Sequence, residues 1–152
     1  MKGLLLAAGL GTRLQPMTNN TPKCLVEING RPLLDYWLEM LINNGLEKIL
    51  VNTHYFPEQV ESYIKNSKWK KVVSTVHEEN LLGTAGSIIE YASFFKNEKN
   101  IFIAHADNLT SFKFQDFFSA HQNRPENTEI TMMTFHTDDP NNCGIVGLDN
   151  NM

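Results

Sequence analysis

Residues 2–13 read KGLLLAAGLGTR, a short apolar run that turns at two glycines and ends in a cation. An apolar run of this length, without polar alternation, predicts a central strand of a parallel sheet that is buried on both faces. The glycines allow a sharp turn whose exposed backbone N–H groups can hold phosphate oxygens. The loop is not a dinucleotide fingerprint, because Leu14 replaces the third glycine of G-x-G-x-x-G, and no G-K-[ST] follows as in a Walker A loop.

Strands and helices alternate along the rest of the chain. We predict strands at residues 2–8, 24–28, 48–53, 71–77, 100–106, 128–135 and 144–148. We predict one helix from Pro32 that stops at Gly45, and others at residues 57–65, 84–95 and 114–122. In the helix at 84–95, the residues expected to face inward are Ile88, Ile89, Ala92 and Phe95. The alternation predicts an α/β fold, a Rossmann-like three-layer sandwich with a mostly parallel sheet and helices on both faces.

The composition narrows the classes of function. The chain has 152 residues, of which 41% are hydrophobic and 20% charged, which is typical of a globular domain. A net charge of −4 argues against a general nucleic-acid-binding protein. No segment approaches the ~20 apolar residues of a membrane span, and the apolar opening is too short for a signal peptide. We therefore expect a cytoplasmic protein that binds neither nucleic acid nor membrane.

The two cysteines, Cys24 and Cys143, lie far apart and lack C-x-x-C spacing. This spacing favours two buried free thiols over a single disulfide bridge and indicates no zinc site.

Two cations lie in the loop region after the first predicted strand. Arg13 follows the glycine turn directly, and Lys23 ends the sequence Thr21-Pro22-Lys23. The guanidinium of Arg13 is a planar donor fork suited to pyrophosphate, whereas the ammonium of Lys23 is a compact charge suited to a single phosphate. Together with the glycine turn and the prolines between them, this spacing favours a phosphate-binding loop over two ordinary surface cations.

The pattern G-x-G-T-R-x-x-P-x-T at residues 9–18, followed by T-P-K at 21–23, resembles the signature of the sugar-1-phosphate nucleotidylyltransferases. The resemblance continues at LGTAG (82–86), at the strand that ends in Asp107, and at CGIVGLD (143–149). These later segments look most like the mannose- and heptose-1-phosphate guanylyltransferase-like branch. The resemblance implies the nucleotide-diphospho-sugar transferase fold, and transfer of a nucleotidyl group from an NTP, with GTP favoured, to a sugar-1-phosphate.

The resemblance also implies roles for individual residues. As the catalytic residues, Arg13 would bind the leaving pyrophosphate, Lys23 the transferring phosphoryl oxygens, and Asp107 the cofactor magnesium (Mg²⁺) against the triphosphate. The other nucleotide-binding positions would be Leu6, Ala8, Gly9, Gly11, Thr12, Gly83 and Thr84. Residues 78–86 would border the base and the sugar, with the backbone of Gly83 and Thr84 closest. Within this segment, Asn80-Leu81 departs from the Glu-Pro of many relatives.

Members of this family continue beyond the motifs present here, into further strands that carry a second metal-binding aspartate and most of the sugar pocket. The resemblance therefore implies that residues 1–152 are the N-terminal nucleotide-binding portion, C-terminally incomplete, with the sugar-binding portion absent. The alternative hypothesis is a nucleotide-binding module or regulatory subunit that no longer catalyses. The expected partners are an NTP and a sugar-1-phosphate, in the synthesis of a cell-surface polysaccharide; homo-oligomerisation is left open.

Overall fold

The computed structural model describes residues 1–147. The strands and α-helices in this part of the chain are β1 (Lys2–Leu6), β2 (Glu27–Ile28), β3 (Arg31–Pro32), α1 (Leu33–Asn43), β4 (Lys48–Thr53), α2 (Pro57–Asn66), β5 (Val73–His77), α3 (Gly83–Glu90), β6 (Ile101–His105) and α4 (Phe114–Gln122). By residue contacts the chain divides into two compact units, Met1–Phe114 and Gln115–Met152. The first unit contains all the strands of the described region.

The main sheet of the first unit has four strands in the order β5-β4-β1-β6, and all of its pairings are parallel. After β1, the strands β4 and β5 are added in turn on one side of β1. The chain then crosses to the other side of β1, where it forms β6. The strand order therefore reverses at β1, which pairs through Leu4 with Leu50 on one side and Ile103 on the other. In open α/β sheets, ligands bind beyond the carboxyl ends of the strands at such a reversal.

Helices cover both faces of this sheet, as predicted. On one face, Leu4, Leu6 and Leu50 form a buried cluster with Phe95, against which Ile88 of α3 packs. On the other face, the indole ring of Trp37 in α1 lies 6.4 Å, centre to centre, from the ring of Phe102 in β6. The helix–sheet–helix layering confirms the predicted three-layer α/β sandwich.

Apolar spacing and helix-terminal residues explain α1 and α2. The buried residues of α1 recur at three- and four-residue intervals and so form one stripe: Leu33, Leu34, Trp37, Leu38 and Leu41. Helix α1 ends at Asn43, two residues before Gly45, whose φ of +86° is the left-handed conformation common after a helix. Pro57 occupies the first turn of α2, where its missing N–H has no helical partner to lose.

The predicted strand at residues 24–28 is mostly wrong. Residues Lys23–Leu25 form a 3₁₀ turn, and only Glu27–Ile28 is a strand, antiparallel to Arg31–Pro32. The turn between these two strands places both Asn29 and Gly30 at positive φ (54° and 72°), as a two-residue hairpin requires. The Asn-Gly pair therefore forms a tight hairpin whose two strands have two residues each. Pro32 belongs to the second of these strands, so it precedes α1 and is not its first residue.

The predicted helix at residues 84–95 is divided in the structure. Helix α3 stops at Glu90, and residues Ala92–Phe95 form a 3₁₀ turn. The tighter 3₁₀ turn changes which residues face the sheet, so Tyr91 and Phe94 pack against the core with Ile88 and Phe95. Ile89 and Ala92 are exposed, contrary to prediction, and Ile89 retains 76% of its accessible surface.

The predicted strand at residues 128–135 is also wrong. No strand occurs in the described part of the second unit, and Ile130 and Phe135 are exposed there. A strand obtains its backbone hydrogen bonds from a neighbour, and within residues 1–147 no strand pairs with this segment. Of the predicted strand at 144–148, residues 144–147 are not in a strand and Leu148 lies outside the described residues.

No helix in residues 1–147 combines the length and the apolar character needed to cross a membrane.

The neighbours Ile88 and Ile89 provide a direct test of the α3 packing. We expect Ile88→Ala to lower the free energy of unfolding by about 1–2 kcal/mol, below the roughly 2–5 kcal/mol of a fully buried site, because Ile88 is only partly buried. Ile89→Ala should change it by less than about 0.5 kcal/mol, as is usual at exposed positions. Urea unfolding followed by circular dichroism measures both values. Equal losses in the two variants would contradict the described orientation of α3.

Candidate functional site

The loop after β1 begins with buried residues and then turns into solvent. Ala7 and Ala8 are buried, whereas Gly9 is exposed, and a Cβ at Gly9 would meet nothing within 4 Å. The backbone N–H of Ala7 donates to Oδ1 of Asn52 in β4 over 2.7 Å. The start of the loop is therefore fixed to the neighbouring strand, while the turn itself is open to an approaching ligand.

Gly11 allows the loop to double back. Its φ of +68° lies in the left-handed region, and a Cβ there would lie 2.9 Å from Cγ2 of Thr18. The carbonyl of Gly11 accepts a hydrogen bond from the Thr18 hydroxyl over 2.8 Å and another from the backbone N–H of Leu14 over 2.9 Å. The hydroxyl of the buried Thr18 thereby holds the two ends of segment 11–18 together.

The structure brings Lys23 and Asp107 together from positions 84 residues apart. Nζ of Lys23 lies 2.8 Å from Oδ2 of Asp107, and the two side chains keep 21% and 32% of their exposure. Asp107 follows β6, and the backbone N–H of Ala106 donates to the carbonyl of Leu6 over 2.9 Å, which continues the β1–β6 pairing beyond the strands. The ion pair therefore lies where the strand order reverses, beside the glycine loop.

Lys23 is positioned by its buried neighbour. Cys24, the next residue in the 3₁₀ turn, is 1% exposed and anchors that turn in the core. Burial, with a smaller contribution from the negative charge of Asp107, raises the pKa of the Cys24 thiol to about 12, so the thiol stays neutral and behaves as a small apolar side chain. Both cysteines are free, as predicted, although Cys143 is only partly buried.

The remaining predicted site residues lie on either side of this pair. Thr12 and Arg13 belong to an exposed 3₁₀ turn that follows Gly11. No hydrogen bond or ion pair within residues 1–147 joins Arg13 to Lys23 or Asp107. Gly83 and Thr84 form the exposed first turn of α3, where Gly83 has a φ of +71° with open space around it.

The sequence reasoning missed a buried polar network near the loop, although it placed Glu78 at the start of the segment expected to border the base. Asn52, Glu78 and Ser87 are 2%, 3% and 1% exposed, and they hydrogen-bond to one another. A polar residue among the apolar residues of β4 (KILVNT) is a signal that could have identified Asn52. Glu78 and Ser87 carry no such signal, because their burial follows from the packing of α3.

Asp107 is not part of a larger cluster of metal-ligating side chains within residues 1–147, since this part of the chain contains no group of three or more His, Cys, Asp or Glu side chains placed to hold a metal ion.

A separate groove of about 840 Å³ lies between α1 and α2, lined by Asp35, Tyr63 and Trp69 among others. Its polar groups already bind one another: Nε1 of Trp69 donates to Oδ1 of Asp35 over 2.8 Å. Burial and a hydrogen bond with Asp35 raise the pKa of the Tyr63 phenol. The loop and the Lys23–Asp107 pair are the better candidate site, because they lie where the strand order reverses.

The chain is similar to members of one protein family. The sequence model of one family, described as "Nucleotidyl transferase", matches residues 2–152. The chain is 36% identical over 110 residues to N-acetylmuramate alpha-1-phosphate uridylyltransferase of Caulobacter vibrioides, which covers 70% of this chain and 45% of that protein. It is 31% identical over 149 residues to mannose-1-phosphate guanyltransferase of Debaryomyces hansenii, which covers 96% of this chain and 41% of that protein.

A solved structure has the same architecture. HddC from Yersinia pseudotuberculosis, complexed with GMP-PN, matches with a TM-score of 0.68 and 25% identity over 80% of this chain and 54% of its own. The chain spans less than half the length of the two curated relatives named above.

The two glycines of the loop differ in their surroundings, and this difference predicts different effects of substitution. Gly11→Ala should lower the free energy of unfolding by about 1–3 kcal/mol, because a side chain at positive φ is strained and would collide with Thr18. Gly9→Ala should have almost no effect on it, since its Cβ would enter open space. Chemical denaturation of the two variants beside the parent chain measures this, and equal stability of the two would contradict the loop geometry.

Proposed function

The chain belongs to the nucleotidyl transferase family, and we propose that this protein transfers a nucleotidyl group from an NTP to a sugar-1-phosphate, giving an NDP-sugar and pyrophosphate. The observation that carries this proposal is the Lys23–Asp107 pair, 2.8 Å apart, beside the glycine loop at the reversal of the strand order. A cation, a carboxylate and exposed backbone N–H groups at one sheet edge match the needs of a triphosphate.

In the proposed reaction, a phosphate oxygen of the sugar-1-phosphate attacks the α-phosphorus of the NTP. A new P–O bond forms there as the bond from the α-phosphorus to the bridging oxygen breaks, and that oxygen leaves with the pyrophosphate. No covalent enzyme intermediate is needed, so catalysis comes from positioning and from neutralising charge. We assign Lys23 to the α-phosphoryl oxygens and Arg13 to the leaving pyrophosphate.

The glycine loop would bind the nucleotide through its backbone. Gly11 and Thr12 would contribute contacts to the phosphates, while Leu6, Ala8 and Gly9 shape the floor below them. Gly83 and Thr84 would contact the base and the sugar through the backbone of the first turn of α3. The open space at Gly9 and Gly83 supports close approach of a ligand at both places.

Asp107 fits a magnesium ion that is shared with the substrate. Mg²⁺ is commonly bound by one or two carboxylates together with substrate phosphates and water, and Asp107 is a partly exposed carboxylate next to the proposed phosphate site. When bound, the ion would neutralise charge on the triphosphate. Asp107 would hold it there, and Lys23 would then be released from Asp107 to pair with a phosphoryl oxygen.

The base and the acceptor are finer parts of the proposal. We favour GTP, because one relative is named as a guanyltransferase and HddC was crystallised with GMP-PN. The uridylyltransferase relative makes UTP the main competitor.

We also propose that residues 1–152 form the nucleotide-binding portion of such an enzyme, since the chain spans less than half of these curated relatives. We place the reaction in the cytoplasm, supplying sugar units for a polysaccharide.

Pyrophosphate release tests the proposal. With Mg²⁺ present, we expect release only when an NTP and a sugar-1-phosphate are both supplied, with GTP giving the highest kcat/KM among GTP, UTP, CTP and dTTP. A coupled pyrophosphate assay across these nucleotides and a panel of sugar-1-phosphates measures it, with each substrate omitted in turn as the control.

Absence of turnover with every pair would count against the proposed activity. Calorimetry then identifies the alternative, a nucleotide-binding module, as binding of NTP without turnover and without dependence on Mg²⁺. If the chain showed neither turnover nor NTP binding, the site would not be a nucleotidyltransferase site.

Lys23→Ala should lower kcat by about 10²–10³-fold while raising the KM for NTP only several-fold, because the charge of Lys23 matters most as the phosphoryl group is transferred. Lys70→Ala, at an exposed lysine before β5, is the matched control and should leave both constants unchanged. Steady-state kinetics separates kcat from KM. A higher KM with an unchanged kcat would remove Lys23 from the catalytic residues.

A further inference from the structure

A buried carboxylate forms the centre of a polar network beneath the candidate site. Oε1 of Glu78 lies 2.9 Å from Nδ2 of Asn52 and 2.6 Å from Oγ of Ser87, and both of these groups can donate to it. All three side chains are at least 97% buried. Among the described residues, no cation pairs with Glu78, so neutral donors alone stabilise its charge.

This network connects the two segments that would hold the ends of a nucleotide. On one side, Oδ1 of Asn52 accepts a hydrogen bond from the backbone N–H of Ala7 over 2.7 Å, at the start of the glycine loop. On the other side, Oε2 of Glu78 accepts from the backbone N–H of Leu82 over 3.4 Å, immediately before α3. The Ser87 hydroxyl also lies 3.0 Å from the carbonyl of Gly83.

The backbone of Glu78 is itself fixed to the sheet. Its N–H donates to the carbonyl of Thr53 over 2.8 Å, and its carbonyl lies 2.7 Å from Nδ1 of His54. Glu78 therefore has a fixed position relative to β4, from which its two carboxylate oxygens reach in different directions. Oε1 binds Asn52, which holds the glycine loop, and Ser87 of α3, whereas Oε2 binds the backbone N–H of Leu82 directly before α3.

We propose that Glu78 is a positioning residue that holds the first turn of α3 in register with the glycine loop, so that the base and the phosphates of one NTP are bound together. The inference rests on the proposed function, because it takes the first turn of α3 as the base-binding side. Glu78 is too buried to touch the nucleotide and acts through Leu82, Gly83 and Ala7. Glu78 therefore contributes to the binding of the nucleoside and not to the binding of the phosphates.

Replacement of Glu78 by glutamine removes one of the two links between Glu78 and the α3 region. With the amide oxygen of Gln facing Asn52 and Ser87, those bonds remain, so the link to Ala7 and the link to Ser87 within α3 are kept. The amide nitrogen then faces the N–H of Leu82, where two donors meet and that hydrogen bond is lost. The turn that begins α3 should therefore be released, while the rest of the network remains.

The test compares the binding of GTP with that of inorganic tripolyphosphate, both with Mg²⁺, by calorimetry on the whole chain. In Glu78→Gln, we expect the affinity for GTP to fall about tenfold, the lower end of the range for a hydrogen bond to a charged group, while the affinity for tripolyphosphate stays unchanged. Ser87→Ala removes one donor to Glu78 and should give a smaller loss in the same direction. The matched control is Glu90→Gln, at an exposed glutamate at the other end of α3.

Equal losses for GTP and tripolyphosphate, or no loss for either, would overturn the positioning role. A merely structural role would lower the unfolding temperature and reduce both affinities together. If Glu78→Gln does not fold, Ser87→Ala decides the question by the same comparison. Failure of the proposed function is a separate result, since the parent chain would then bind GTP no more tightly than tripolyphosphate.

Discussion

The position of β1 between two parallel neighbours is the constraint on which the rest of the structure depends. Leu4 and Leu5 of this strand are fully buried, and its backbone pairs with β4 on one side and with β6 on the other. The chain must therefore leave the sheet at the end of β1 in a crevice between helices of the two faces. A loop that leaves there has backbone N–H groups that no strand uses, and Ala7 shows how one of them is satisfied by the side chain of Asn52.

The same constraint explains why charge gathers at this edge. Asp107 reaches the loop because the β1–β6 pairing continues to Ala106, and Lys23 reaches it because the 3₁₀ turn of residues 23–25 is anchored by the buried Cys24. Each of these charges neutralises the other. A partly exposed ion pair of this kind adds little to stability, so its value lies in holding both groups beside the loop.

The sequence predicted the parts of the fold that depend on local chemistry. The apolar run of β1, the spacing of α1 with Gly45 after it, and Pro57 at the start of α2 all act within a few residues, and these elements were placed correctly within one or two residues. Residues 24–28 and 128–135 were assigned wrongly, because a strand depends on a partner that alternation alone does not identify. Ile89 is exposed because its neighbour Ile88 is the residue of α3 that packs on the core, which the apolar pair by itself does not reveal.

The candidate site likewise contains residues that motifs identify and residues that only long-range packing brings together. Motifs predicted Lys23 and Asp107, and the topology brings this pair within 2.8 Å. The roles of this pair, like those of Arg13, Gly83 and Thr84, remain predictions, since they depend on a bound nucleotide. The hydrogen-bonded network of Asn52, Glu78 and Ser87 was not predicted, because it depends on long-range burial. Ser87 lies 35 residues from Asn52, and only the packing of α3 against the sheet makes these side chains neighbours.

The buried network and the exposed ion pair solve opposite electrostatic problems. Glu78 is removed from water, so its charge requires fixed donors from Asn52, Ser87 and Leu82, and any movement of these groups would expose an unpaired charge. Lys23 and Asp107 remain partly hydrated, and under the proposed function each would exchange the other for a phosphate or a metal ion at small cost. Binding of a triphosphate, as proposed, would need both properties: a rigid frame that sets distances, and mobile charges that change partners. The frame is rigid because its charge is buried, and the pair can exchange because its charges are not.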